Sequence, residues 1–457
     1  MEEASILKDL VRKEYSLGLY EQTIFNVPIW RIVRYHTRLY YINKKTGYTT
    51  GNPIEFKFGK PKLKLFSGFW HSIGKKNLSV FFTFNRLAKV NEEFLDKFVD
   101  PVIDESDLSQ SNYVIVDPRN YCGHYPRVHR EHTVSNENRT LLCQIFKYLY
   151  KIITPIKYGK EINELFQKVQ DAFDLPDNYI KRFYFEIGNF IAYYRYYSLW
   201  FSVLKPSHVF VVYREGYFPQ IAVCKNRGIP VAEFQHGITL DNTVSFAGEY
   251  DPRIDPDYFL VFGEYWKGPQ FGMPLDRIIN IGWAYSKYLQ KTIEKTTEKH
   301  KNEILVISSP EISDAILDAL KELSQHNGDY SFDIRLHPCE SYNDSQQQEL
   351  ESIPKARVVD NKTDSALVLP TYKYVVGENS SVIYEALSVG CKVGMLNMCG
   401  LRPAIDLPGI RDNFFVINNC DDFERFLQDD ASQTGSKAEF YSAFDNKRFM
   451  QFINESM

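Results

Sequence analysis

The 457-residue chain has few cysteines. All seven are scattered and none forms a CxxC pair. That argues against a disulfide scaffold and fits a reducing compartment. The opening MEEASILKDLVRKEY starts acidic and holds no apolar h-region, so it does not read as a secretion signal. No apolar run approaches the ~20 residues that span a bilayer. There is no excess of positive charge. The net charge of −4 gives no ground for general polyanion binding, and nucleic acid is not expected as a partner. Internal repeats and low-complexity tracts are missing too. These absences predict a cytoplasmic protein.

What is present points to a globular enzyme. The chain is 44% hydrophobic and 25% charged, and at about 150 residues per domain its length suggests two or three domains. Tyr and Phe are abundant, at 31 and 33. Aromatic surface can stack on sugar rings, although most such residues belong to cores. Between Lys44 and Lys76 lie eight lysines (Lys44, Lys45, Lys57, Lys60, Lys62, Lys64, Lys75 and Lys76) against one acid, Glu55. This stretch is either a solvated loop or a peripheral contact with an anionic membrane face, helped by Phe66, Phe69 and Trp70.

Residues 1–45 read as helical and amphipathic. Strands are expected at 78–84 and 113–117, a helix from Asn91 to about Phe98, and mostly helix over 138–204. After Pro206 short apolar strands (208–213, 229–235, 257–263) alternate with helix, which implies βαβ units and a parallel sheet. The charged TIEKTTEKHK (292–301) reads as a junction. Beyond it the alternation restarts, with strands at 303–309, 332–338, 356–360, 372–378 and 392–396. The expected fold class is therefore α/β, with two Rossmann-like domains facing a central cleft. Residues 1–291 form an acceptor-side domain with helical additions. Residues 292–430 form a nucleotide-sugar-binding domain, and residues 431–457 a tail that can return to the first.

In such sheets ligands bind outside the carboxyl ends of the strands, and the polar clusters of this chain fall there. In GENSSVIYEALSVG (377–390) a strand ends near Gly377 and Glu378, and Asn379, Ser380 and Ser381 lead into a helix whose free N–H groups favour an anion. Glu385, one turn further on, can accept hydrogen bonds from a ribose diol. The plainer alternative makes Ser380 a cap and Glu385 a surface residue. RLHP (335–338) puts His337 before the strand-stopping Pro338, with Arg335 either helping to bind phosphate or turned to the other face. EFQHGI (233–238) places Gln235, His236 and Gly237 at another strand end. YREGYF (213–218) offers Arg214 and a carboxylate on a turn, Glu215, suited to general base or nucleophile. FGEYW (262–266) offers Glu264. Each carboxylate alone reads equally as structural charge. CGHYPRVHREH (122–132) holds Cys122, His124, His129 and His132. Its spacing permits zinc but has no regular ligand pair, and a contact with an anionic substrate or a plain polar loop fits as well, so no metal is expected. Arg402-Pro403 follows a strand and can reach a nucleotide.

QHG, then HP about 100 residues on, then ENSSxxxEA about 40 residues later, resembles bacterial GT-B glycosyltransferases of capsule and lipopolysaccharide synthesis. It is most similar to the Kdo transferases and related CMP-sugar-using enzymes. Sialyltransferases and polysialyltransferases look similar in the C-terminal half only. The resemblance covers roughly residues 208–400. It implies that His337, Ser380 and Ser381 hold the donor phosphate, and that Glu215, His236 and Glu264 serve catalysis. It also implies a nucleotide sugar as substrate without a further cofactor, an oligosaccharide or glycolipid acceptor, and a place in the cytoplasm or at the inner face of the plasma membrane. One departure matters. Many retaining GT-B enzymes carry two glutamates eight positions apart, whereas Glu378 and Glu385 are seven apart. This turns the expectation away from a UDP- or GDP-hexose and toward a CMP-linked donor. CDP-polyol phosphotransferases of the teichoic-acid type share the His-Gly turn, the HP motif and the Ser-Ser helix start, but usually carry Asp where Glu385 or Ala386 falls. A UDP-sugar transferase and a non-catalytic scaffold complete the alternatives.

Overall fold

The computed structural model describes residues 2–46, 72–84, 86–90, 92–108, 112–118, 126–136, 141–239, 243–268, 272–295, 299–310, 312–326, 329–338, 340–378, 380–398, 413–428 and 439–455. Two all-parallel sheets organise it. The first contains β1 (Ser79–Phe82), β2 (Tyr113–Pro118), β3 (Thr133–Asn136), β4 (His208–Val211), β5 (Val231–Phe234), β6 (Tyr258–Val261) and β7 (Ile278–Asn280). Across the sheet they run 3-2-1-4-5-6-7. The second contains β8 (His300–Ile307), β9 (Ser331–Arg335), β10 (Ala356–Val358), β11 (Tyr372–Gly377), β12 (Lys392–Leu396) and β13 (Phe415–Ile417), in the order 10-9-8-11-12-13. Each sheet thus starts at an inner strand, walks to one edge, then crosses over and walks to the other. This is the doubly wound Rossmann order. The strands are short and buried on both faces, as in β4 and β5, where every residue is buried.

The fold is α/β with two Rossmann-like domains, the GT-B arrangement. The carboxyl ends of both sheets turn toward a shared interface. Tyr384 of the helix Ser381–Ser388 packs on Trp266 of the first domain, with ring centroids 5.7 Å apart. Lys97 of the first domain lies 3.6 Å from both Asp364 and Glu385 of the second.

Residues 439–455 close over the first domain. Trp283 N–H donates to the Ser442 carbonyl at 2.9 Å, and Ser442 N–H donates to the Phe262 carbonyl at 2.7 Å. Phe449 and Phe452 of the helix Asn446–Glu455 then pack on Phe210. Gly282 makes this docking achievable. Its φ is +77°, and a Cβ there would stand 2.1 Å from the Ala443 carbonyl oxygen.

Two expectations need correction. The helix expected from Asn91 is an antiparallel hairpin, Leu87–Val90 with Glu93–Asp96. Asp96 enforces it by accepting the Phe98 and Val99 N–H groups at 3.0 Å each, which starts a new turn there instead. The opening segment is two helices, Glu2–Ser16 and Ile29–Thr46, split by a tight hairpin with left-handed Phe25 and Asn26. The basic stretch is described only at its two ends, so Lys57 to Lys64, Phe66, Phe69 and Trp70 lie outside the described residues.

Candidate functional site

The register of the second sheet gathers three loops. Ile307 pairs with Arg335 on one side and Gly377 on the other, so the chain after β8, β9 and β11 emerges at one point, the topological switch of that sheet. At Gly377 a Cβ would crowd Ile383 at 3.1 Å and Ile307 at 3.2 Å. Glycine therefore lets the helix Ser381–Ser388 seat on the strand ends. Ser380 caps that helix, and its Oγ accepts the Val382 N–H at 3.3 Å. Ser381 occupies the first helical position, where N–H groups lack intrahelical acceptors. Glu378 is buried at the strand end. Asn379 lies outside the described residues.

His337 and Pro338 are exposed on the neighbouring loop. A residue that motif reading passed over holds that loop. The buried Glu340 carboxylate accepts Ser308 Oγ at 2.6 Å, Ser313 Oγ at 2.7 Å and the His337 N–H at 2.8 Å. It thereby ties the ends of β8 and β9 together. Arg335 is held by backbone carbonyls. Its guanidinium donates to the Asp360 carbonyl at 2.7 Å and to the Thr363 carbonyl, which turns it onto the loop that carries Asp364. Glu385 is not a surface residue. It is buried, accepts Ser365 Oγ at 3.5 Å and faces Lys97. Burial raises its pKa and the Lys97 ammonium opposes that rise.

The first domain presents a different chemistry. Arg31, Arg34 and Arg38 recur along one face of the helix Ile29–Thr46 and are all buried. Arg38 is bound twice by Glu14, at 2.6 and 2.7 Å, and Arg31 Nη1 meets Asp255 at 3.0 Å. Arg214 is a member of this cluster and not a free cleft cation. Its Nε donates to Glu233 at 2.5 Å and its Nη1 to Asp255 at 3.1 Å. Glu215 lies 4.0 Å from Arg34 Nη2. Its pKa is raised by burial, against the pull of Arg34, Arg31 and Arg214. Arg31, Arg34, Arg214, Ser245, Tyr250 and Met273 are among the residues that line a small cavity. The spacing of the three helix arginines, three and then four residues, was the sequence signal for this cluster.

Gln235 is a clamp within the fold. It accepts the Phe262 N–H at 2.9 Å and donates to the Gly237 carbonyl at 2.9 Å. Next to Gly237 a Cβ would meet open space, so sterics do not demand glycine there. The His236 ring sits among Phe84 at 5.1 Å, Tyr213 at 5.4 Å and Phe98 at 6.5 Å. Burial, reinforced by Arg86 and Arg214, lowers its pKa to about 3. It is a neutral imidazole and a poor general base at neutral pH. Glu264 is half exposed and held by Asn280 Nδ2 at 2.9 Å, Lys267 at 3.2 Å and Arg448 at 3.7 Å. It anchors the tail and does not join Glu215. Phe84, Tyr213 and His236 pack ring against ring, with Phe84 and Tyr213 4.9 Å apart. Of the histidine cluster, Cys122 and His124 lie outside the described residues. His129 Nε2 pairs with Asp104 at 3.0 Å, and the His132 ring lies tilted against Tyr113 with centroids 4.4 Å apart. Among the described residues no group of metal-binding side chains converges. Arg402 and Pro403 also lie outside them.

No family model and no curated protein matches the sequence. Solved structures do resemble the fold. UDP-GlcNAc 2-epimerase from Neisseria meningitidis, bound to UDP-GlcNAc, is 15% identical over 83% of this chain and 99% of its own, with a TM-score of 0.49. The UDP-GlcNAc 2-epimerase of Methanocaldococcus jannaschii is 10% identical over 83% and 99%, with a TM-score of 0.48. A variant of the wall teichoic acid polymerase TagF is 13% identical over 84% and 89%, with a TM-score of 0.42. At these values the likeness says nothing about substrate or individual residues.

Proposed function

We propose that the protein is a metal-independent glycosyltransferase that moves a sugar from a nucleotide donor, CMP-linked and Kdo-like, to a growing surface oligosaccharide or glycolipid. The observation that carries this reading is the convergence of His337, Glu378, Ser380 and Ser381 at the switch point of the second sheet, beside the start of an apolar-packed helix. A helix N-terminus with hydroxyls and an imidazole suits the charge that develops on a leaving phosphate. In the reaction the acceptor hydroxyl gives its proton to Glu215. Its oxygen bonds to the anomeric carbon, and the electron pair of the breaking C–O bond passes to the phosphate oxygen at Ser380–Ser381. A raised pKa improves Glu215 as a base near neutral pH. Written as a single displacement the reaction inverts the anomeric centre; the retaining alternative has Glu215 attack that carbon first and the acceptor displace it. Arg214 and Gln235 support the cleft wall, and His236 and Glu264 take no proton in it. An anionic membrane contact through residues 44–76 belongs to the same reading as its peripheral anchor.

The test is thermal stabilisation by CMP, CDP, UDP and GDP, since a ligand of the native state raises the midpoint by mass action. CMP should stabilise the wild type, and Ser381→Ala or His337→Ala should abolish the shift. Stabilisation by UDP alone sinks the CMP-linked donor in favour of a UDP-sugar. Consumption of a CDP-polyol, with CMP released as the polyol phosphate passes to the acceptor and no turnover of a CMP-sugar, selects the phosphotransferase alternative. No response to any nucleotide, with biological activity surviving both substitutions, leaves a scaffold.

A further inference from the structure

The helix Leu141–Gln170 and the helix Ile180–Leu204 form an antiparallel pair inserted between β3 and β4. They meet through Phe166 against Phe183, with ring centroids 5.5 Å apart, and through Gly188 against Thr154. The first helix turns Cys143, Thr154, Ile162 and Leu165 inward. Its outer face is apolar too. Ile145 is 53% exposed, Tyr148 71%, Ile152 49% and Ile156 81%. These positions and the exposed Leu149 recur at three, four and seven residues, so they line one stripe of the helix. Phe185, Leu199 and Val203 are exposed on the second helix. Most of the large exposed apolar side chains among the described residues therefore sit on this one helical pair. An exposed apolar stripe of this length marks a contact with something else.

Charge identifies what that something is. Residues 141–160 carry Lys147, Lys151, Lys157 and Lys160 and no acid, in a chain whose net charge is −4. Lys151, Lys157 and Lys160 are exposed, and Lys160 lies 3.9 Å from Glu164 one turn further on. A second copy docked on the same face would set lysines against lysines, because a two-fold contact is self-complementary. An anionic lipid surface neutralises them instead. An apolar stripe edged by lysines, with a tyrosine at its margin, is the pattern of a helix lying in the plane of a bilayer interface. We infer that the outer face of the helix Leu141–Gln170, centred on Ile152 and Ile156, docks the protein on an anionic lipid bilayer. This surface belongs to the first domain and the Ser380–Ser381 helix start to the second, so the two are tested separately.

The test is co-sedimentation of the full chain with phosphatidylglycerol–phosphatidylcholine vesicles and with pure phosphatidylcholine vesicles. The wild type should bind the anionic vesicles, more weakly as salt rises, and bind the neutral ones poorly. Ile152→Glu/Ile156→Glu should abolish binding. Lys151→Glu/Lys157→Glu should weaken it by roughly fivefold or more per lysine. All four side chains are exposed, so both variants should keep the wild-type melting temperature and nucleotide response, which separates lost docking from lost folding. Wild-type protein that ignores anionic vesicles overturns the inference. So does anionic-vesicle binding that survives Ile152→Glu/Ile156→Glu. A solution dimer that the same pair dissociates overturns it in favour of a second copy.

Discussion

Replacing Lys97 with methionine tests how the two domains are held together. The ammonium lies 3.6 Å from Asp364 and 3.6 Å from Glu385, and the three side chains are only 6%, 14% and 8% exposed. At that separation and an effective dielectric constant near 20, each pair attracts by about 4–5 kcal/mol. Desolvation of the three groups and repulsion between the carboxylates offset much of this. What survives when one partner of a buried pair is removed is a loss of about 3–5 kcal/mol, because the remaining charges stay buried. Lys97→Met should lose that much in urea denaturation at about pH 8. The pH dependence follows from Glu385, whose pKa burial raises while Lys97 opposes the rise. Without Lys97 it rises further. A carboxylate with a raised native pKa destabilises the fold above that pKa, and the penalty fades as pH falls toward the unfolded value. The deficit should therefore shrink on acidification to about pH 5. It should also shrink in Lys97→Met/Glu385→Gln. A deficit below about 1 kcal/mol, or one insensitive to pH, would refute the reasoning.

Other substitutions probe the remaining parts. His236 has its pKa lowered to about 3 and is neutral when folded, whereas the unfolded ring titrates near its ordinary value. The wild type should therefore lose about 2 kcal/mol relative to His236→Asn between about pH 7 and pH 5, measured by chemical denaturation, and parallel pH profiles would disprove it. Glu340→Ala removes three accepted hydrogen bonds, each worth about 1.5–3 kcal/mol to a charged acceptor. It should lower the melting temperature and weaken nucleotide binding together, whereas loss of stability alone would separate Glu340 from the donor site. Gly282→Ala combines a left-handed backbone, costing about 1–2 kcal/mol, with a Cβ 2.1 Å from the Ala443 carbonyl. Limited proteolysis should then cut within residues 439–455 faster than in the wild type, and unchanged protection would show that the docked tail does not depend on that approach.

The alternation of short apolar strands with helices was visible in the sequence because a sheet covered on both faces needs continuous apolar strands. The Ser380–Ser381 helix start and the His337 turn were visible because caps and strand-stopping prolines are local devices. The hairpin at Leu87–Asp96 escaped because Asp96 forms it by bonding to Phe98 and Val99, and a lone aspartate has no spacing to betray that. Glu340 escaped for a related reason. Its partners Ser308 and Ser313 are about thirty residues upstream, and only the pairing of β8 with β9 brings them near.

The sequence by itself therefore determined most of the elements and the two-sheet fold class and marked a candidate phosphate loop, all of which depend on neighbours within a turn or a strand. Tertiary structure decided which charges are available. Arg335 and Arg214 look like free cations in the sequence, yet one is spent on the Asp360 and Thr363 carbonyls and the other on Glu233 and Asp255. Glu385 reads in the sequence as a ribose ligand or, more plainly, as a surface residue on a capped helix, yet Lys97 reaches it from nearly three hundred residues upstream. The physical reason is range. Helix and strand preferences act through the local backbone, whereas the protonation and partners of a charge depend on whatever the fold places within a few ångströms of it.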